Sequence, residues 1–316
     1  MVRIAVLDDY QGVAFEYADW GAVKARAEVT VFRDNLADPA AVVDRLRPFD
    51  VVCVMRERTP LTRAILEQLD HLKLICSTGT RNASIDLAAA KDRGITVCNS
   101  GYTSHGAMEM TWALLLAAAR QVPKEVAAFQ GGRWQEHVGD DLKGRTLGII
   151  GLGRIGAAIA RVAHAFEMEV IAWSQNLTEA TAAAAGVRRV EKAALLQQAD
   201  FVTLHLILSA RSRGIIGAAD LALMKPTAWL VNTSRGPLVD EPALIDALER
   251  GSIAGAALDV FDTEPLPAEH PLRKLDRVLA TPHVGFVTKE TYGIFYRDTV
   301  ENILAWLDGA PIRVVH

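Results

Sequence analysis

Thr146-Leu147-Gly148-Ile149-Ile150-Gly151-Leu152-Gly153-Arg154-Ile155-Gly156 joins an apolar, strand-like run to a glycine-rich turn, and the helix-like stretch 157–166 follows. Each glycine has a separate task in such a turn. The first permits the sharp passage from strand to helix, the second lets a pyrophosphate approach the backbone, and the third lets the helix pack on the strand with its N-terminus toward the phosphates. Ile155, Ile159, Val162, Ala163 and Phe166 then recur with helical period, and Val170-Ile171-Ala172-Trp173 reads as a second strand. The segment is a βαβ unit around a dinucleotide site, with Gly151, Gly153, Arg154, Ile155 and Gly156 as its cofactor-binding residues. About 150 residues precede it, room for another domain, so the cofactor domain is inserted into or appended to a second one.

Working outward, short apolar runs alternate with helix-like stretches almost throughout, the pattern of parallel α/β structure. Strand candidates before the turn are 3–7, 28–32, 51–55, 74–76 and 96–98, separated by amphipathic segments such as 40–46 and 63–69. After it come 170–173, 201–206, 229–232, 255–257 and 278–280. Residues 106–120 read as a long buried helix. Residues 289–307 read as another, with Tyr292, Phe295, Tyr296, Val300, Ile303 and Leu307 on one face. Two doubly wound parallel sheets are expected.

The chain has 316 residues, 50% hydrophobic and 23% charged, enough to bury two ordinary cores and without a disordered composition. A net charge of -4 gives no electrostatic footprint for nucleic acid or an anionic membrane. Cys53, Cys76 and Cys98 are odd in number and each lies in or beside a strand-like run, which predicts buried reduced thiols rather than a disulfide or zinc framework. No metal is expected. Asp8 and Asp9 come too early for a secretory signal and no apolar run reaches spanning length, so a soluble, cytoplasmic protein is expected.

Three polar clusters follow strands of the second half, where open α/β sheets bind ligands. Asn232-Thr233-Ser234-Arg235-Gly236 follows Trp229-Leu230-Val231, and an arginine emerging there can fork onto a planar carboxylate as a lysine cannot. Asp259-Val260-Phe261-Asp262-Thr263-Glu264-Pro265 follows Ala256-Ala257-Leu258, and Thr281-Pro282-His283-Val284-Gly285 follows Val278-Leu279-Ala280. Singly, each has an ordinary reading: a structural ion pair for Arg235, a solvated loop charge for Glu264, a satisfied structural imidazole for His283. Together, behind a dinucleotide turn, they supply a grip on an anionic substrate, an acid/base and a carboxylate, which reversible hydride transfer at a 2-keto acid requires.

These clusters resemble those of the D-isomer-specific 2-hydroxyacid dehydrogenases, a family that includes phosphoglycerate dehydrogenase and glyoxylate/hydroxypyruvate reductase. The resemblance runs in one order over nearly the whole chain, through Thr78-Gly79, Ser84-Ile85-Asp86-Leu87-Ala88-Ala89-Ala90, Glu109 with its helix, residues 142–151, Leu223-Met224-Lys225-Pro226 and the three clusters. It implies that Arg235 binds the substrate carboxylate and polarises the carbonyl, that His283 is the acid/base, and that Glu264 pairs with His283. It implies further that Asp259, Thr233 and Ser234 help hold the nicotinamide end, and that backbone amides of Thr78, Gly79, Thr80 and Arg81 hold the substrate carboxylate. Residues 1–100 and 284–316 would form a discontinuous, smaller, flavodoxin-like substrate domain, and residues 101–283 an inserted Rossmann domain for NAD(P). The active site would lie in the cleft between them, closed about two connecting helices to exclude water. A homodimer is implied, with the apolar helix after Gly106 as its expected face.

The chain departs from the family in places. Arg81-Asn82-Ala83-Ser84 stands where Gly-Val-Asp-Asn is frequent, and Arg81 either adds a cation to the pocket or faces solvent. Arg56 and Arg58 are candidates for the same border. Leu204-His205-Leu206-Ile207-Leu208-Ser209 replaces Leu-His-x-Pro-Leu-Thr, and His205 is either structural or near the adenosine end. The second strand of the βαβ unit ends in Trp173-Ser174-Gln175-Asn176, without the acidic residue that bonds an adenosine ribose. Ser174, Gln175 and Asn176 offer neutral groups and Arg154 a nearby charge, so the reading leans to NADP(H), with NAD(H) close behind. Glu264 argues against formate dehydrogenases, whose histidine pairs with Gln. A regulatory domain like that of the long phosphoglycerate dehydrogenases is not expected. The expected substrates are small 2-keto or D-2-hydroxy acids of the glyoxylate/hydroxypyruvate type. The alternative is a non-catalytic, NAD(H)-sensing binding protein of the corepressor type.

Overall fold

The apolar runs become parallel strands covered on both faces, which is why they read as nearly continuous hydrophobic stretches rather than as alternation. The computed structural model describes residues 1–315 and divides into two units, Met1–Thr103 with the chain from Val287 onward, and Ser104–Phe286. The second unit thus interrupts the first in the chain.

The first unit is a five-stranded sheet of β1 (Val2–Val6), β2 (Ala27–Val31), β3 (Val51–Val54), β4 (Leu74–Ser77) and β5 (Thr96–Asn99), in the order β2-β1-β3-β4-β5. This is the flavodoxin-like winding, which reverses direction between β1 and β3. Helices Pro39–Leu46 and Leu87–Asp92 begin where Asp38 accepts from Ala40 N–H and Asp86 from Ala89 N–H. Val42, Val43, Leu46, Ala89 and Ala90 from these helices pack on Ala5, Val52, Ile75 and Val97. Helix Lys289–Leu307 returns to this unit, capped by Thr288 and burying Tyr292, Phe295, Tyr296, Val300 and Ile303. Cys53 pairs in register with Cys76, and Cys76 with Cys98, so the three thiols form one buried rung across neighbouring strands.

The second unit is a seven-stranded sheet of β6 (Thr146–Ile150), β7 (Glu169–Trp173), β8 (Arg188–Arg189), β9 (Phe201–Leu204), β10 (Trp229–Asn232), β11 (Gly255–Leu258) and β12 (Val278–Ala280). Its order, β12-β11-β10-β9-β6-β7-β8, is the Rossmann winding, with the reversal between β6 and β9. Helices His105–Ala119 and Arg154–Ala165 supply Trp112, Leu115, Ile159 and Ala163 to one core. Lys192–Gln198 and Glu241–Glu249 supply Leu195, Leu196, Leu244 and Leu248 to the other. The expected pair of doubly wound parallel sheets is what the chain forms. Among the described residues no helix is long and apolar enough to cross a membrane.

Candidate active site

The glycine turn has the shape its letters promise. Gly151 has φ +105°, and a Cβ there would lie 2.7 Å from the His205 carbonyl, while one on Gly156 would lie 2.4 Å from the Gly151 oxygen. Gly153 faces open space, and it leads helix Arg154–Ala165 with no side chain capping the first turn. The helix N-terminus is therefore left to bond an anion, and a pyrophosphate fits where a side chain would otherwise stand. Ser174, just beyond β7, accepts from Leu152 N–H at 2.9 Å and so fastens the turn. Gln175, Asn176 and Arg154 are exposed. His205 bonds Thr203 Oγ1 through Nε2 at 2.8 Å. Although the residue keeps some surface, burial pushes its imidazole down to about 4 and keeps the ring neutral at ordinary pH. Sequence reasoning missed Arg189, which parallel pairing sets beside Ala172 and whose guanidinium bonds Leu177 O and Glu191 near the end of β7.

Beyond the carboxyl ends of β10, β11 and β12 the three polar clusters interlock. The buried Asn232 shapes the first, donating to Arg235 O at 2.9 Å and accepting from Ser234 N–H at 3.1 Å. Ser234 donates to Leu204 O, Thr233 bonds Thr111 on helix His105–Ala119, and Arg235 Nη1 donates to Ser234 O. A Cβ on Gly236 would lie 2.0 Å from the Phe261 carbonyl carbon, so this glycine lets the second loop pass against the first. Asp259 N–H donates to Asn232 O, and its carboxylate accepts from Thr281 Oγ1 (2.6 Å), Val284 N–H (2.9 Å) and Gly285 N–H (2.7 Å). Burial holds the Asp259 carboxyl above the usual range, with those three bonds opposing it. Fastening the His283 loop is a second task for Asp259, beyond the nicotinamide contact that the resemblance implies. Nothing local in the sequence announces it.

His283 Nδ1 lies 2.6 Å from Glu264 Oε2, and Glu264 Oε1 accepts from Phe261 N–H at 2.9 Å. A carboxylate only accepts, so Nδ1 carries the proton of this bond and Nε2 is left for a substrate. Both side chains keep part of their surface, 24% and 32%, as groups that meet a substrate must.

In the first unit the turn after β4 is equally ordered. Gly79 has φ +85°, and its amide donates to Ser100 Oγ at 2.7 Å, while the Thr78 amide donates to Val54 O. These bonds leave Thr80 and Arg81, both exposed, to offer amides to a ligand. Arg56 has φ +54°, donates its amide to Thr78 Oγ1 at 2.8 Å, and lays its guanidinium on the turn, against Thr78 O and Arg81 O. Arg58 turns instead to Asp8 O at 2.7 Å.

Comparison with known proteins agrees with this geometry. Residues 112–285 match the family model described as D-isomer specific 2-hydroxyacid dehydrogenase, NAD binding domain. The glyoxylate reductase of Korarchaeum cryptofilum is 36% identical over 296 residues, 91% of this chain and 89% of that protein. The D-3-phosphoglycerate dehydrogenase of Methanocaldococcus jannaschii is 42% identical over 253 residues, 79% of this chain but 48% of that protein, so the match spans about half of that longer relative. Among solved structures, phosphoglycerate oxidoreductase from Vibrio cholerae superimposes with a TM-score of 0.92 at 37% identity, covering 98% of this chain and 100% of that one. The chain belongs to the D-isomer-specific 2-hydroxyacid dehydrogenase family, an oxidoreductase with a nicotinamide-dinucleotide domain. Enzymes of this kind among its relatives do not favour the non-catalytic, cofactor-sensing alternative.

Proposed function

We propose that the protein interconverts a small 2-keto acid and its D-2-hydroxy acid, with glyoxylate and hydroxypyruvate as the substrate type and NADP(H), or failing that NAD(H), as cofactor. The observation that carries the reading is the 2.6 Å bond between His283 Nδ1 and Glu264, on loops that leave adjacent parallel strands of a dinucleotide-binding sheet. When bound, the nicotinamide supplies or accepts the hydride. Protonated His283 gives the Nε2 proton to the carbonyl oxygen during reduction and takes it back during oxidation. Glu264 fixes the ring through its bond to Nδ1. Arg235 holds the substrate carboxylate and polarises the carbonyl, with the amides of Thr80 and Arg81, in the turn that Thr78 and Gly79 fasten, as the second carboxylate grip.

In the same reading the seven-stranded unit holds the dinucleotide through Gly151, Gly153, Arg154, Ile155 and Gly156, with Ser174, Gln175, Asn176 and His205 toward the adenosine. Thr233, Ser234 and Asp259 serve the nicotinamide end. The five-stranded unit serves the substrate. The protein works as a cytoplasmic homodimer. Absence of an acidic residue at the end of β7 supports the lean to NADP(H), because no carboxylate repels a 2′-phosphate there.

The test is a panel of glyoxylate, hydroxypyruvate, pyruvate and phenylpyruvate, each assayed with NADH and with NADPH. Turnover of glyoxylate and hydroxypyruvate at the highest kcat/KM is expected, with NADPH preferred. Turnover of none of the four removes the reading, and a preference for phenylpyruvate removes its substrate type.

A further inference from the structure

Of the two amides that the five-stranded unit offers a substrate carboxylate, one is aimed by a side chain that takes no part in the chemistry. Among the described residues neither the Thr80 nor the Arg81 N–H donates to a protein group. The Thr80 carbonyl, by contrast, accepts from Asn99 Nδ2 at 2.8 Å. That carbonyl and the Arg81 N–H are the two ends of one planar trans peptide unit, so they point in opposite directions. Fixing the oxygen fixes the direction of the N–H. The Thr78–Gly79 unit of the same turn is pinned likewise, Thr78 O by Arg56 Nη1 at 3.3 Å and Gly79 N–H by Ser100 Oγ at 2.7 Å. Without Asn99, the Thr80–Arg81 unit would be free to rotate about the soft dihedrals on either side of it, and the amide would turn away from a ligand.

Asn99 is itself locked on both sides of its backbone. It ends β5, the last strand in the sheet order, and its N–H donates to Arg313 O at 3.0 Å. Its carbonyl accepts from Asn302 Nδ2 at 3.0 Å, and Asn302 Oδ1 accepts from Arg313 Nη1 at 3.0 Å. The three residues close a ring, in which the buried Asn302 amide has both its ends used. Val314 pairs antiparallel with Cys98 and Val315 N–H donates to Val97 O, so residues 313–315 lie along the edge of β5. The buried Asp298 carboxylate takes Gly101 N–H at 2.8 Å and extends the hold beyond Asn99.

We infer that Asn99 is a positioning residue: it aims the Arg81 amide at the substrate carboxylate, and Asn302 with Arg313 holds it to that task. That role rests on the 2-keto acid activity proposed above. It falls on substrate capture, because a carboxylate keeps the same charge in ground and transition states, and a grip on it lowers KM without raising kcat.

Steady-state kinetics of the full chain with glyoxylate or hydroxypyruvate, at saturating dinucleotide, test it. Asn99→Ala should raise KM about tenfold, the worth of one hydrogen bond to a charged group, with kcat and the dinucleotide dissociation constant nearly unchanged. Arg313→Met removes the bond to Asn302 and keeps an apolar stem. It should raise KM about threefold by itself and not at all on the Asn99→Ala background, since it acts through Asn99. In the parent with dinucleotide bound, oxalate, a carboxylate without a carbonyl to reduce, should shift the Arg81 amide resonance more than those of Thr78 and Gly79, whose N–H groups are already bonded. This readout needs no variant, and it decides the matter if Asn99→Ala does not fold. A parent that turns over no 2-keto acid removes the activity and the role together. An active parent in which Asn99→Ala keeps the parental KM, or lowers kcat instead, overturns the positioning role alone, as does an Arg81 amide that ignores oxalate. An Arg313→Met effect that persists on the Asn99→Ala background overturns the part given to Arg313.

Discussion

His283 has φ +51°, in the left-handed region that a non-glycine residue occupies only under constraint. The constraint is visible on both sides of it, where the buried Asp259 carboxylate takes Thr281 Oγ1 and the amides of Val284 and Gly285. His283→Ala should lower the chemical rate by about 10² to 10⁴ and leave dinucleotide binding nearly intact, since positioned acid catalysis has that worth. Single-turnover rates near the parent's would remove His283 from the chemistry. Arg235 is tested differently, because lysine keeps the charge and loses the planar fork. Arg235→Lys should worsen both kcat and KM for keto acids while the dinucleotide dissociation constant changes far less. Normal turnover by the lysine variant would make the arginine a bystander.

At the scale of elements, the turn between β6 and its helix is held from outside by Ser174, whose hydroxyl accepts from Leu152 N–H. Ser174→Asp retains an acceptor for that amide and adds a negative charge at the end of β7. The ratio of kcat/KM for NADPH over NADH should fall by at least about tenfold. An unchanged ratio in a folded variant would show that the ribose is read elsewhere. The residues also explain what sequence could reveal. Helix Lys289–Leu307 was legible because Tyr292, Phe295, Tyr296, Val300 and Ile303 repeat on one face, all of them buried. Strand β8 was not, since Arg188–Arg189 carries no apolar signal and exists through its pairing with β7. Helix Val122–Gln130 was missed because its large apolar positions are few and Pro123 reads as a breaker until it is seen to stand in the helix's first turn. The catalytic candidates were legible because each follows a strand. Their mutual fastening was not, for the partners of Asp259 lie 22 to 26 residues along the chain and Gly236 matters only where Phe261 passes it.

At the scale of the molecule, two sheets with separate cores need not respond alike to acid. His205 belongs to the seven-stranded unit, and burial holds its imidazole at about 4 against an ordinary 6.5. Between those values the unfolded chain binds a proton that the folded one refuses, so stability is lost as pH falls from about 6.5 toward 4 and is unaffected above that window. His205→Gln should flatten this part of the profile. The urea midpoint of the parent should drop more steeply than the variant's between neutral pH and pH about 4.5. Parallel curves would mean that the ring titrates normally.

The rung of Cys53, Cys76 and Cys98 lies entirely in the five-stranded unit, and the other unit has no cysteine at all. A hydrogen bond with Cys53, together with burial, raises the Cys76 thiol, and burial pushes Cys98 up to about 12. The native chain should therefore be silent to a maleimide or an aromatic disulfide reagent at neutral pH, because all three thiols are buried out of a reagent's reach and Cys76 and Cys98 are held protonated as well. Modification then becomes a clock for the opening of one sheet and not the other. All three sulfurs should react at a single rate, since they stand side by side on one face of the sheet and are uncovered together when the layer over that face opens. Mass spectra taken during labelling should show unmodified and triply modified chains, and a long-lived singly modified species would show that the rung frays one strand at a time.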